Sequence, residues 1–115
     1  MHRRLLVSGL LLAPLACSQS GEANGEAALR SLIAKQAEAW NRHDAHAWSE
    51  PFLPQADFVN IVGMLFEGRA QIEKRHADLF AGIFSKSRVV VTVRKVVSLG
   101  ATSALVETVH ELRDY

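Results

Sequence analysis

An α+β fold, with a helical layer packed on antiparallel strands, is what this 115-residue sequence predicts. Three observations carry that expectation. Apolar residues recur at helical spacing from Leu29 to Trp40. Two segments rich in β-branched residues, SRVVVTVRKVVSLG and TSALVETVHEL, flank a turn at Gly100. Between these regions lie a short strand pair and a second helix-spaced stretch. The composition, 49% hydrophobic and 22% charged, belongs to a globular chain and excludes disordered and fibrous classes.

The N-terminus has a different character. MHRRLLVSGLLLAPLAC places Arg3 and Arg4 ahead of an apolar stretch from Leu5 to Leu12 that is too short to span a bilayer, with small residues following. Residues 1–16 are therefore expected to be an export signal, residues 17–25 a polar tether and residues 26–115 one α+β domain. Cys17 is the only cysteine, so no intrachain disulfide forms. Its position resembles the lipid-attachment site of bacterial lipoproteins, although Pro14 stands where an aliphatic residue is usual. The expectation is a protein of the bacterial cell envelope or periplasm, held to the membrane only through a lipid on Cys17. A plain signal peptide cleaved after Ser18, giving a soluble secreted protein, is the alternative. Loss of Arg3 and Arg4 with the signal takes the formal net charge from +1 to −1, and no basic stripe remains for nucleic acid.

Within the domain, Leu29, Leu32, Ile33, Gln36 and Trp40 define one helix face, ending near NRHD. Asp44 is a good N-cap for a short helix from Ala45 to about Glu50, stopped by Pro51 and Pro54. Asp57–Val62 reads as a strand, Gly63 as a turn and Met64–Glu67 as a second strand. Gly68 then opens a helix with Ile72, His76, Leu79, Phe80 and Ile83 on its apolar stripe. The two β-branched segments form the closing antiparallel pair.

Three polar residues interrupt those apolar patterns: Gln36, Asn60 (between Phe58 and Val62) and His76. An unpaired amide or imidazole costs about 1–3 kcal/mol when buried, so these residues imply either mutual hydrogen bonds or a ligand. His76 is the candidate acid/base, since imidazole titrates near neutrality. On the last strand Glu107 shares a face with Leu105 and Val109, and His110 shares the other with Val106 and Leu112. A surface ion pair of Glu107 with Arg94 or Lys95 is its plain alternative role. HDAH spaces His43 and His46 as some metal sites do, but no third ligand lies nearby and no metal or cofactor is expected. Gly68 and Arg69 are read as an ordinary helix entry.

WNRHDAHAWSEPFLPQADFVNIVGMLFEGRAQIEKRHADLF, residues 40 to 80, resembles the nuclear-transport-factor-2-like superfamily and, within it, the SnoaL-like and SgcJ/EcaC branch. WN.HD, ADFVN.VG and GR..I...H carry the likeness. The resemblance implies a curved sheet wrapped against helices into a cone with an apolar pocket, lined here by Gln36, Trp40, Asn60, Phe66 and, as the inward residue of the last strand, Glu107. It also implies two further strands beyond Leu112, whereas this sequence ends at Tyr115, so an open-sided cone and an exposed sheet edge suited to homodimer pairing are expected. Gln36 and Asn60 fall where a ketosteroid isomerase has its oxyanion-stabilising tyrosine and proton-transferring aspartate. An amide cannot shuttle a proton, so that reaction is not expected. What the resemblance implies is binding of a small apolar molecule bearing a carbonyl or hydroxyl. A SnoaL-like isomerase, cyclase or dehydratase using His76, and a non-catalytic dimerisation module, are the alternatives.

Overall fold

The computed structural model describes residues 2–115, with the side chains of residue 21 and residues 23–115. Helix α1 (His2–Asn41) is followed by α2 (Ala45–Ser49), strands β1 (Asp57–Val59) and β2 (Leu65–Glu67), helix α3 (Arg69–Ala81), and strands β3 (Arg88–Ser98) and β4 (Ala104–Arg113). The helical layer and the antiparallel strands are those the sequence predicts. β1 pairs with β2 and β3 with β4, as two separate two-stranded sheets among the described residues. α1 is continuous through the segment expected to be a polar tether, and its described residues from Gly21 to Ala28 are exposed. The signal peptide and the lipid site at Cys17 fall on side chains outside the described residues. No helix among the described residues is long and apolar enough to cross a membrane.

The core lies where α1, α2 and α3 meet. Ala39, Trp48 and Ile72 are buried there, with Trp40, Phe52, Phe58 and Phe66 packed around them. Asp44 caps α2 as expected, its Oδ1 accepting from the Ala47 amide at 3.0 Å. Gly68 at the start of α3 has φ +87, and a Cβ there would stand 3.2 Å from the Pro54 carbonyl, so glycine is required by both backbone and space. Arg69 donates to the Phe52 carbonyl at 3.2 Å and ties down the loop before β1. Helix α3 ends at Ala81 with Gly82 as its C-cap, so Ile83 lies beyond it and is exposed rather than part of the apolar stripe.

The largest local difference from the sequence pattern is at Asn60. The strand expected to run to Val62 stops at Val59 because the Asn60 side chain takes over the backbone: its Oδ1 accepts from the Val62 amide at 3.1 Å and the Met64 amide at 2.8 Å. This Asx-type turn, with Gly63 at φ +82, closes the β1–β2 hairpin. Val62 is consequently exposed at the hairpin tip.

The β3–β4 ribbon carries a bulge between Val93 and Lys95. It exchanges the alternation of faces along β3: Val89, Val91 and Val93 turn towards α1 before the bulge, and Val96 and Ser98 after it. On β4 their partners are Leu112, His110, Thr108, Val106 and Ala104.

Candidate functional site

Three residues at the end of α1 fasten the ribbon to the helices. Asn41 pairs with Val89 as a neighbouring strand would, its Oδ1 accepting from the Val89 amide at 2.7 Å and its Nδ2 donating to the Val89 carbonyl at 3.1 Å. Trp40 Nε1 donates to the Ser87 hydroxyl at 3.0 Å, which donates onward to the Phe84 carbonyl at 2.9 Å. His43, at φ +56, meets the Ser87 carbonyl at 2.9 Å, so its Nε2 is the donor. The clasp starts β3 directly beneath α1 and leaves the rest of the ribbon free to diverge from the helix.

That divergence makes a trough between α1 and the inward face of β3–β4. Its narrow end is a cavity of about 30 Å³, enough for a water molecule, lined by Ile33, Gln36, Ala37, Trp48, Val89, Val91 and His110. Farther towards the start of α1 lies a second cavity, a groove of about 760 Å³ between Leu29 and Leu32 on the helix and Val96, Ser98 and Ala104 on the ribbon. The groove is within the size range of small-molecule sites, and its walls are mainly apolar.

Polar groups cluster at the narrow end. Gln36 donates through Nε2 to the Trp48 carbonyl at 3.0 Å, and its Oε1 has no hydrogen bond to another described residue. The His110 ring nitrogen Nε2 lies 3.1 Å from the Thr108 hydroxyl. Although one side of the His110 ring is open to solvent, desolvation in the concave face lowers its pKa below the ordinary imidazole value and favours the neutral form. The trough therefore ends in an amide and an uncharged imidazole, a pair suited to holding one carbonyl or hydroxyl.

The other expected site residues lie elsewhere. His76 is only 4% exposed and stacks on Trp48 at 3.7 Å and 22°. Its Nδ1 meets the Ile72 carbonyl at 2.8 Å and so carries the proton. Burial lowers its pKa, and the positive charge of Arg75 lowers it further. The ring is thus a neutral imidazole whose Nε2 lone pair has no partner among the described residues, set among Trp40, Trp48, Phe58 and Phe80. Neither cavity has His76 in its wall. Asn60 serves the hairpin turn and does not bond His76. Trp40 is a core residue of the clasp, and Phe66 packs against Phe58 beneath the Arg75 guanidinium rather than lining the trough.

The expectation for Glu107 is corrected. It points away from α1 and pairs with Arg94 at 3.1 Å, and His110 is the inward residue. Charge distribution on β4 held the signal: Glu107 and Glu111 share one face, whereas the face of His110 has no formal charge between Ala104 and Leu112. Asn41 was also missed. His43 and His46 diverge to different partners, His46 Nδ1 meeting Glu73 Oε1 at 2.7 Å, which raises the His46 pKa. Among the described residues, no group of three or more His, Cys, Asp or Glu side chains is placed to hold a metal ion.

Comparison with solved structures identifies the architecture. The chain is similar to a domain of unknown function with a cystatin-like fold from Nostoc punctiforme, at 27% identity and a TM-score of 0.74, covering 76% of this chain and 54% of that one. It is likewise similar to an uncharacterized protein with a cystatin-like fold from Caulobacter vibrioides, at 28% identity and a TM-score of 0.67, covering 76% of this chain and 63% of that one. An NTF-2 like protein of unknown function from Shewanella oneidensis, at 19% identity, matches with a TM-score of 0.60 over 73% of this chain and 78% of that one. The fold is nuclear-transport-factor-2-like, and the chain spans less than two thirds of the Nostoc and Caulobacter structures. No family model matches it, and no curated protein does.

Protonation of His76 gives the fold a pH signature. Its lowered native pKa contributes stability that is complete above the unfolded-state value of about 6.5 and is lost as pH falls through the native value. His110 acts in the same direction, and His46, raised by Glu73, acts in the opposite one. The urea midpoint should fall between pH 7 and pH 5, and His76→Phe should flatten that fall. An equally steep fall in both proteins would remove His76 as its cause.

Proposed function

We propose that this chain is an exported SnoaL-like domain of the SgcJ/EcaC type that binds a small apolar molecule bearing a carbonyl or hydroxyl. The ligand lies in the α1/β3–β4 trough, its apolar body against Leu29, Leu32 and Val96 and its polar atom against Gln36 and His110. The observation that carries this reading is that the mainly apolar groove and the small cavity with a free amide oxygen and a neutral imidazole in its wall both lie between α1 and the same face of β3–β4. A hydroxyl can donate to Gln36 Oε1, and either a hydroxyl or a carbonyl can meet the imidazole in the appropriate tautomer.

One observation favours a second reading, a SnoaL-like enzyme with His76 as acid/base. The uncharged His76 ring keeps an unpartnered Nε2 beside Trp48, the residue that closes the trough. Neither cavity has His76 in its wall, so binding without turnover is the simpler function for this geometry.

2-Naphthol, an apolar ring system with one hydroxyl, is a suitable calorimetric probe. Saturable binding should weaken more than tenfold in Leu32→Glu, which sets a charge in the groove, and about 2–10-fold in Gln36→Leu, which removes one hydrogen-bonding group. His76→Phe should leave it unchanged. Absence of saturable binding, or indifference to both trough substitutions, would overturn the assignment. Export and anchoring have their own test: labelled palmitate should be incorporated by the wild type in a bacterial host and not by Cys17→Ser, while equal labelling, or none in either, contradicts attachment at Cys17.

A further inference from the structure

A backbone carbonyl sets the direction of the hydrogen bonds at the small cavity. The Trp48 carbonyl can only accept, so the Gln36 atom 3.0 Å from it is the Nε2 amino group; a flipped amide would set two acceptors against each other. Oε1 is therefore the atom left over, an acceptor with no partner among the described residues. A polar group that fills the cavity beside it must bring a proton. The cavity, about 30 Å³, has room for little more than one hydroxyl.

His110 shares that wall. Desolvation favours its neutral form, in which one ring nitrogen donates and the other accepts. Nε2 lies 3.1 Å from the Thr108 hydroxyl, which can donate or accept, so Nδ1 is the nitrogen left for a ligand.

We propose that this site selects an alcohol or phenol over a carbonyl compound, with Gln36 as the discriminating residue and Thr108 as the residue that positions the His110 proton. The inference rests on the trough reading above and narrows it. One hydroxyl completes a chain in which every donor meets an acceptor. Thr108 O–H donates to His110 Nε2, and His110 Nδ1–H donates to the ligand oxygen. The ligand O–H donates to Gln36 Oε1, and Gln36 Nε2–H to the Trp48 carbonyl. A carbonyl oxygen carries lone pairs alone. It can accept from His110, but it then faces Oε1 with no proton between them, and the amide oxygen stays unpaired. Sites that hydrogen-bond a ligand hydroxyl reject the analogue lacking it more strongly than apolar contacts discriminate shape.

The test is calorimetry on the full chain with 2-tetralol and 2-tetralone, which share one ring skeleton and differ in bearing a hydroxyl or a carbonyl at one carbon. 2-Tetralol should bind at least about tenfold more tightly, and Gln36→Leu should reduce that ratio below about threefold by weakening the alcohol. Long-range proton–nitrogen correlation spectra of the 2-tetralol complex should place the His110 ring proton on Nδ1. That preference should be lost in Thr108→Val and restored in Thr108→Ser. Saturable binding with the ketone as tight as the alcohol overturns the selectivity and leaves the trough reading standing, whereas absence of saturable binding of either compound overturns both. A ratio unchanged in Gln36→Leu removes Gln36 as the discriminating residue. A proton on Nε2 in the wild-type complex, or an Nδ1 preference that survives Thr108→Val, overturns the role of Thr108.

Discussion

The grip of Asn41 on Val89 is the constraint on which the rest of the structure depends. A helix and a strand ribbon share no backbone hydrogen bonds of their own, so their relative position is otherwise left to side-chain packing. Here a side-chain amide copies a backbone peptide and docks on the strand edge through both its polar atoms. Trp40 and His43 reinforce it through Ser87, which is fully buried between them. Each such bond contributes only about 0.5–1.5 kcal/mol net, but together they set a distance and an angle that apolar contacts alone would leave loose.

The trough is the consequence of pinning the ribbon at one end. Near Val89 the sheet is held close to α1 and the space is barely that of a water molecule; beyond the bulge at Val93/Lys95 the ribbon is no longer tied to the helix and the groove widens. His76 stacks on Trp48 and meets the Ile72 carbonyl, outside the walls of both cavities.

Much of this was legible in the sequence because it rests on local chemistry. Asp44 is an N-cap wherever a short helix follows it, Gly68 answers a backbone demand, and the β-branched runs on either side of Gly100 have no competing interpretation. What the sequence concealed was decided by nonlocal pairing. Asn60 fits the period-two pattern of Phe58 and Val62, yet its short side chain competes for the backbone and ends the strand, a preference that alternation does not record. Glu107 and His110 lie on opposite faces of one strand, and which face is inward depends on what α1 covers; the two carboxylates on one face were the available clue. Asn41 was invisible because its partner lies 48 residues away and its amide resembles any helix-terminal polar residue. The buried positions of Ile72 and Phe80, by contrast, followed from their helical spacing, whereas Trp40, expected in the pocket, is a core residue.

Amide hydrogen exchange on Asn41→Ala measures the clasp directly. If Asn41 positions the ribbon, the Val89 amide should lose its protection, and the loss should spread along the β3–β4 ladder while amides of α3 keep their wild-type rates. Loss confined to Val89, with the ladder as protected as before, would contradict the account and show that packing alone holds the sheet over α1.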